Sequence, residues 1–480
     1  MTLENRVGTT VQLSNTINDL PDEVLLEIFV SYRQALGPYK YQWRKKYEWF
    51  NLAHVCRKWR AVMFASPSRL DLGITVGPQR SSLIKTILSG PLPIFFEYAS
   101  FYRIGDPPSV KFQQMRTAFG YHRDRVREIC FEGTNADFYR FFEVTDCPFP
   151  VLESLVLDFK VASETRLPHT FLRGPKLSDL HLRRLEFRRA LLASVSGFLS
   201  SATALTELTL QIDTVFGSSP ETSLLACLQG MPYLHSLHLT ILNSDLSGSL
   251  SQPSAPEDIV PLSSLTRFCY VGHPAFLSAL LAGFSAPSLW GVDFSFLDSI
   301  SSPIVHLPRF ITEMKEQYHI AQVYIAYNIP SPNGITFSLL THSESTSHCK
   351  PHFKLRGSGR FPVSIMQMGS ALSTRLTTIE ELRITPSEEF VQWLKLFQYF
   401  SSVRALYLDG TGYDYMARTL HQSDKEPNDP VILPALEEIQ LRISLSFIHE
   451  IQRARQLEAF QPFVFKRQQA GRPVKVFFKQ

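Results

Sequence analysis

Paired cysteines, a long apolar run and a surplus of either charge are all missing from this sequence. The six cysteines, Cys56, Cys130, Cys147, Cys227, Cys269 and Cys349, lie far apart and form no Cys-x-x-Cys pair. That spacing excludes a thiolate zinc site and points to reduced thiols in the cytoplasm or nucleus. No Asn-x-Ser/Thr acceptor occurs, and the start of the chain carries Glu4 and no apolar run, unlike a secretory signal. An uncharged stretch between His273 and Asp293 contains Pro274, Gly283 and Pro287. It fits a buried helix followed by a strand, so no membrane partner is expected. Lys plus Arg number 48 against 44 for Asp plus Glu, a difference of 4. So slight an excess does not predict nucleic-acid binding.

The familiar catalytic patterns are missing as well. There is no Gly-x-Ser-x-Gly elbow and no Gly-Lys pair of a phosphate loop, and Gly357-Ser358-Gly359 lacks the third glycine of a dinucleotide fingerprint and reads as a loop. His449-Glu450 lacks the second histidine of a zinc protease. Glu380-Glu381 and Glu437-Glu438 are side by side, which is not the facing geometry of an acid and a base. Arg183-Arg184 and Arg188-Arg189, adjoined by Glu186, read as a solvated face. No enzyme activity, metal or cofactor is expected.

What is present is a globular composition, 44% hydrophobic and 19% charged over 480 residues. That length is too great for one ordinary core, so it predicts several domains or one elongated repeat domain. Ile17 to Asp71 is the most specific stretch. Pro21 suits a first helical turn, and Asp22 and Glu23 follow where the helix dipole favours acid. Val24, Leu25, Ile28 and Phe29 then form one wide stripe, joined by Leu20. Further on, Leu52, Val55, Cys56, Trp59 and Met63 fall on a single helical face that ends before Pro67. Two or three short helices bury so many large side chains poorly, so part of this apolar surface is expected to belong to a partner.

These residues resemble an F-box, in particular the F-box-like domain common in fungal proteins. The resemblance rests on Leu20-Pro21-Asp22-Glu23-Val24-Leu25-Leu26-Glu27-Ile28-Phe29, Val55-Cys56-Arg57-Lys58-Trp59-Arg60 and Ser66-Pro67-Ser68. It departs from the family in the insertion from Val30 to Trp49 and in Arg69-Leu70. It implies docking on the Skp adaptor, and through it on a cullin, by Leu20, Pro21, Val24, Leu25, Ile28, Phe29, Leu52, Val55, Cys56 and Trp59.

The chain divides into a tail (1–15), the F-box-like module (16–71), a connecting segment (72–122) and a repeat region (123–480). The connecting segment is read as a helix from Ser81 to Leu88 and a strand from Ile94 to Tyr98. From Val126 a pattern Φ-x-x-Φ-x-Φ recurs: Val126-Ile129-Phe131, Leu152-Leu155-Leu157, Leu177-Leu180-Leu182, Leu205-Leu208-Leu210, Leu234-Leu237-Leu239, Leu265-Phe268-Tyr270 and Leu289-Val292-Phe294. It returns at Ile379-Leu382-Ile384, Val403-Leu406-Leu408 and Leu436-Ile439-Leu441. The last two residues of each instance share one side of a strand. Helical segments lie between them, such as Ala190 to Leu199, Ser223 to Leu228, Ala275 to Phe284 and Glu389 to Phe400. Between Ser295 and Thr374 the period breaks, and Gln322 to Ala326 with Ile335 to Leu339 reads as a hairpin. Ile448 to Ala459 reads as a helix that opens a C-terminal cap.

One strand and one helix per unit predict an α/β fold, a curved solenoid with a parallel sheet on its concave side. The units resemble irregular leucine-rich repeats. Residues between and just after the apolar positions are expected on the concave face: His181, Arg183, Thr209, Gln211, His238, Thr240, Asp293, Arg383, Tyr407, Asp409, Gln440 and Arg442. Their mixed character suits a protein surface. The expected function is a non-catalytic adaptor of an SCF-type (cullin-RING) ubiquitin ligase that holds an unknown protein substrate. The alternative is a repeat scaffold or ligand sensor with a vestigial F-box.

Overall fold

The computed structural model describes residues 17–35, 49–66, 70, 74–76, 93–99, 108–163, 167–168, 171–173, 181–214, 220–243, 259–296, 304, 306–307, 309–310, 320–328, 334–341, 352–358, 376–385, 393–409, 413–422, 431–442 and 450–478. The tail at 1–15, the insertion beyond Ala35, the helix expected from Ser81 to Leu88, Leu177 with Leu180, and Glu389 lie outside the described residues.

Three helices open the chain: α1 (Asp22–Ala35), α2 (Trp49–Ala53) and α3 (Arg57–Ala65). Pro21, whose ring fixes φ near the helical value, stands just before α1, and its carbonyl accepts from Leu25 N at 3.1 Å. The second apolar segment is two helices rather than the single face expected from its spacing. Cys56 interrupts it in extended conformation and caps α3, its Sγ accepting from Trp59 N at 3.4 Å. Leu25, Leu26, Phe29, Ala53, Trp59, Val62, Met63 and Leu70 make a core of their own. Phe29 and Trp59 meet in it at 5.0 Å between ring centres.

Among the described residues, sixteen strands form one sheet, and two short ones, Val260–Pro261 and Phe284–Ser285, pair apart from it. Its first members are β1 (Ile74–Val76), β2 (Ile94–Ala99), β3 (Val126–Gly133), β4 (Ser154–Ser163), β5 (Arg184–Ala190), β6 (Glu207–Thr214), β7 (Ser236–Asn243), β8 (Arg267–Gly272) and β9 (Gly291–Phe296). Then come β10 (Ile320–Asn328), β11 (Gly334–Thr341), β12 (His352–Ser358), β13 (Glu381–Ile384), β14 (Ala405–Asp409), β15 (Glu438–Arg442) and β16 (Lys475–Phe478). Neighbours follow chain order and pair in parallel except in the middle, where the order is β9, β12, β11, β10, β13. There β11 runs antiparallel to both β10 and β12. The hairpin expected in this region is therefore present, and a third strand, β12, joins it to β9. Gly357-Ser358, expected in a loop, ends that strand. The sheet also begins earlier than Val126, because β1 and β2 lie in the segment read as a connection.

The helices that alternate with these strands are α4 (Pro108–His122), α5 (Asn135–Val144), α6 (Leu192–Leu199), α7 (Pro220–Gln229), α8 (Pro274–Gly283), α9 (Trp393–Phe397), α10 (Tyr413–Gln422) and α11 (Glu450–Gln469). Alternation along each strand sends Ile129 and Phe131, Leu155 and Leu157, Leu208 and Leu210 into the core beneath them. Between α7 and α8 the packing is close: a Cβ on Gly283 would lie 2.2 Å from Leu225 Cδ1, so that leucine would have to shift. Thr134 starts α5 with a reciprocal cap, Thr134 N donating to Asp137 Oδ2 at 3.0 Å. A repeated bond fixes where each strand begins. Arg183 O accepts from Thr206 N and Glu207 N, Thr206 O from His235 N and Ser236 N, and His235 O from Thr266 N and Arg267 N. The same pattern closes the far end through Glu380, Arg404 and Glu437.

One repeat was expected five residues too early, at Leu177-Leu180-Leu182, whereas the observed strand follows Leu182-Leu185-Phe187. Two overlapping copies of the pattern share Leu182. The second copy wins because Leu185 pairs with Leu155 and Leu208, and Phe187 with Leu157 and Leu210. The cap also differs in extent: α11 continues past Ala459 through Pro462 to Gln469 before β16.

Candidate functional site

Two surfaces carry the residues singled out from the sequence. The first is the helical module. Its expected apolar stripe is divided by the structure: Leu25 is 0% exposed and Phe29 is equally buried, whereas Ile28 is 39% exposed and Val24 and Tyr32 stand out beside it. Val24, Ile28 and Tyr32 recur every fourth residue, so they share a face of α1. Val55, in the break before α3, is 55% exposed. Trp59 is buried, Leu20, Leu52 and Cys56 are partly buried and packed on the core, and Pro21 is exposed. Leu25, Phe29 and Trp59 therefore hold the module together, and Val24, Ile28, Tyr32 and Val55 are what it shows to solvent.

Polar contacts lock this arrangement. Lys58 Nζ donates to Leu20 O at 2.7 Å and lies 3.6 Å from Asp22 Oδ1, tying α3 to the start of α1. Arg60 Nε donates to Ala53 O at 2.9 Å and closes the end of α2.

The second surface is the face of the sheet opposite the helices. Strand register places Glu186, Thr209, His238, Cys269 and Asp293 in one row across it. A second row runs Arg383, Tyr407, Gln440, Phe477. Gln211 lies beside Thr240, and Asp409 beside Arg442. His181 and Arg183 do not join them, because the strand begins at Arg184. They are exposed on the approach to β5, where His181 Nδ1 lies 3.0 Å from Pro150 O.

In their place stands an ion cluster that spacing alone did not reveal. Arg188 lies 2.7 Å from Glu186 Oε1 and 3.3 Å from Asp158 Oδ2, while Arg189 pairs with the other oxygen of Asp158. Successive strand residues ordinarily point to opposite faces. Here a bulge intervenes, with Arg189 at φ 57°, and both arginines reach one carboxylate. Arg184 adds a contact to Glu186 at 3.3 Å. Glu207, 3.9 Å from Arg184, brings the acids to three against three arginines, so the cluster is charge-balanced.

At the far end, Arg383 pairs with Asp409. The Tyr407 hydroxyl bonds Glu381, and burial with Glu381 and Glu438 nearby pushes its pKa up, an effect Arg442 opposes. Tyr407 is therefore a neutral donor at physiological pH. No group of His, Cys, Asp and Glu among the described residues is placed to hold a metal ion. No helix among them is long and apolar enough to cross a membrane.

Comparison with known proteins bears on the first surface. No curated protein matches the chain. The leucine-rich repeat-containing protein LegL7 from Legionella pneumophila is similar over 81% of this chain and 97% of its own, with 11% identity and a TM-score of 0.29. The complex of Rad7 and Elc1 in yeast is similar over 89% of this chain and 91% of the matched chain, with 14% identity and a TM-score of 0.33. Neither likeness is needed for the fold, which the strand pairing establishes directly. Residues 17–66 match the F-box-like family model. The chain thus joins an F-box-like domain at residues 17–66 to an α/β region built on a largely parallel sheet.

Proposed function

We propose that the chain is a non-catalytic substrate-recognition adaptor of an SCF-type, cullin-RING ubiquitin ligase. Its helical module docks on the Skp adaptor, and the open face of the sheet holds a protein to be ubiquitinated. One observation carries the reading: in an F-box-like module whose interior is already filled, Val24, Ile28 and Tyr32 stay exposed along one face of α1. Apolar side chains left out of a completed core mark a contact surface. Catalysis then belongs to other subunits, and this chain contributes proximity by positioning the substrate near them. The reading puts the protein in the cytoplasm or nucleus.

Affinity purification of the tagged chain from its own cells, followed by mass spectrometry, tests this. The Skp adaptor and a cullin are expected in comparable amounts to the bait, with further proteins that accumulate when the proteasome is inhibited. Partners recovered with neither adaptor nor cullin would instead identify a scaffold that does not direct degradation.

A further inference from the structure

β15 presents Glu438, Gln440 and Arg442 to the open face, with Gln440 set between Tyr407 of β14 and Phe477 of β16. Gln440 is only 7% exposed. Its Nε2 donates to Glu438 Oε1 at 2.6 Å, which fixes the amide so that Oε1 faces away from that acid. That oxygen is buried and accepts no hydrogen bond among the described residues. Leaving such an acceptor unpaired is unfavourable, so a buried one that persists calls for a donor from outside.

Arg442 lies next to it on the same strand. Its guanidinium carbon sits 4.6 Å from the centre of the Tyr407 ring, and its Nε is buried without a hydrogen bond. No carboxylate among the described residues pairs with it, because the neighbouring Asp409 is held by Arg383. Stacking on the ring holds the planar fork in place before any ligand arrives. Phe477, 37% exposed, offers an apolar surface on the other side of Gln440.

An acceptor for an N–H, a fork for a carboxylate and an exposed ring lie within two adjacent strand intervals. We infer that this corner of the sheet is the seat of an acidic peptide segment of the captured protein. An Asp or Glu side chain pairs with Arg442, a backbone N–H donates to Gln440 Oε1, and an apolar residue covers Phe477. A carboxylate fits better than a phosphate here. A carboxylate brings a single charge that Arg442 balances, whereas a phosphate brings about −1.5 to −2 and leaves an excess facing Glu438, Glu381 and Asp409. The inference rests on the reading that the open face takes up a protein, and it is independent of the helical module.

The probe is an array of dodecapeptides with Glu, Gln, Lys or phosphoserine fixed at the centre and the other positions randomised, incubated with the full chain. The Glu set is expected to be retained about tenfold above the Gln and Lys sets. Arg442→Gln should remove that preference, Arg442→Lys should restore part of it, and Arg183→Gln, which deletes a cation on the approach to β5, should leave it unchanged. Equal retention of all sets, phosphoserine above Glu, or a Glu preference that survives Arg442→Gln overturns the inference. Should Arg442→Gln lower the melting temperature, Phe477→Ala reads the same site from an exposed position, and undiminished retention there is equally contrary. Adaptor binding measured on the same samples separates the two claims. A chain that prefers acidic peptides but binds no adaptor keeps this site and loses the ligase reading.

Discussion

Glutamate placed at both Val24 and Ile28 is expected to reduce affinity for the Skp adaptor by about a thousandfold while leaving the chain folded. Good interface anchors lose about 2 kcal/mol or more on truncation, so two of them account for roughly 4 kcal/mol, a factor of about a thousand. Placing carboxylates against a dry interface adds to that loss. In the free chain both positions face water on α1, and surface substitutions of this kind ordinarily move stability by no more than about 0.5 kcal/mol. Leu25→Ala should behave in the opposite way. Leu25 is fully buried between α1 and α3, and removing such a side chain costs about 2–5 kcal/mol, a large part of what so small a core supplies. Binding titrations paired with thermal melts separate the two cases. Wild-type affinity in the double glutamate variant would show that this face of α1 is not the docking surface.

Phe138→Ala is the substitution with the largest expected effect on stability. Phe138 is fully buried in α5, with its ring 4.0 Å from that of Phe159 and 4.7 Å from that of Phe131. Phe141 stacks on Phe131 at 4.2 Å and reaches Phe171 at 6.0 Å, so the rings tie successive strands together. Deleting one such ring costs about 3–5 kcal/mol. Stacked repeats touch only their neighbours, so the damage is expected to stay local. Hydrogen exchange should accelerate in β3, α5 and β4 and remain unchanged in β13, β14 and β15. Exchange that rises evenly along the sheet would mean that the solenoid unfolds as a single unit.

Much of this architecture was legible in the sequence because period-two and period-3.6 patterns report directly on which side of an element is dry. Leu152, Leu234 and Leu436 each sit just ahead of a strand, as their spacing requires. The misreadings have a common cause, which is that several local patterns are compatible with one stretch until its neighbours choose. Leu182 belongs to two overlapping repeats, and only pairing with β4 and β6 selects the later one. That choice removes His181 and Arg183 from the open face and puts Glu186 and Arg188 on it. The α1 stripe was too wide to be buried whole by a core of this size, and no periodicity tells Leu25 from Ile28 as the inner member. β12 did carry a signal, the alternation of Phe353 and Leu355 with His352, Lys354 and Arg356, but the glycines at its end read more strongly as a loop.

The residues of the candidate surface were harder to see than the fold. Thr209, His238, Tyr407 and Gln440 lie on the open face as strand alternation requires. The contacts that set their chemistry join residues far apart in the chain. Asp158 meets Arg188 across |i−j| = 30, and Arg383 meets Asp409 across |i−j| = 26. Such pairs depend on register, so a single sequence shows the partners without showing that they meet.

The most direct measurement is isothermal titration of the purified full-length chain with a purified Skp adaptor, alone and bound to the N-terminal part of a cullin. The account predicts a one-to-one complex of submicromolar affinity that glutamate at Val24 and Ile28 weakens about a thousandfold. Absence of binding by a chain that melts cooperatively would contradict it.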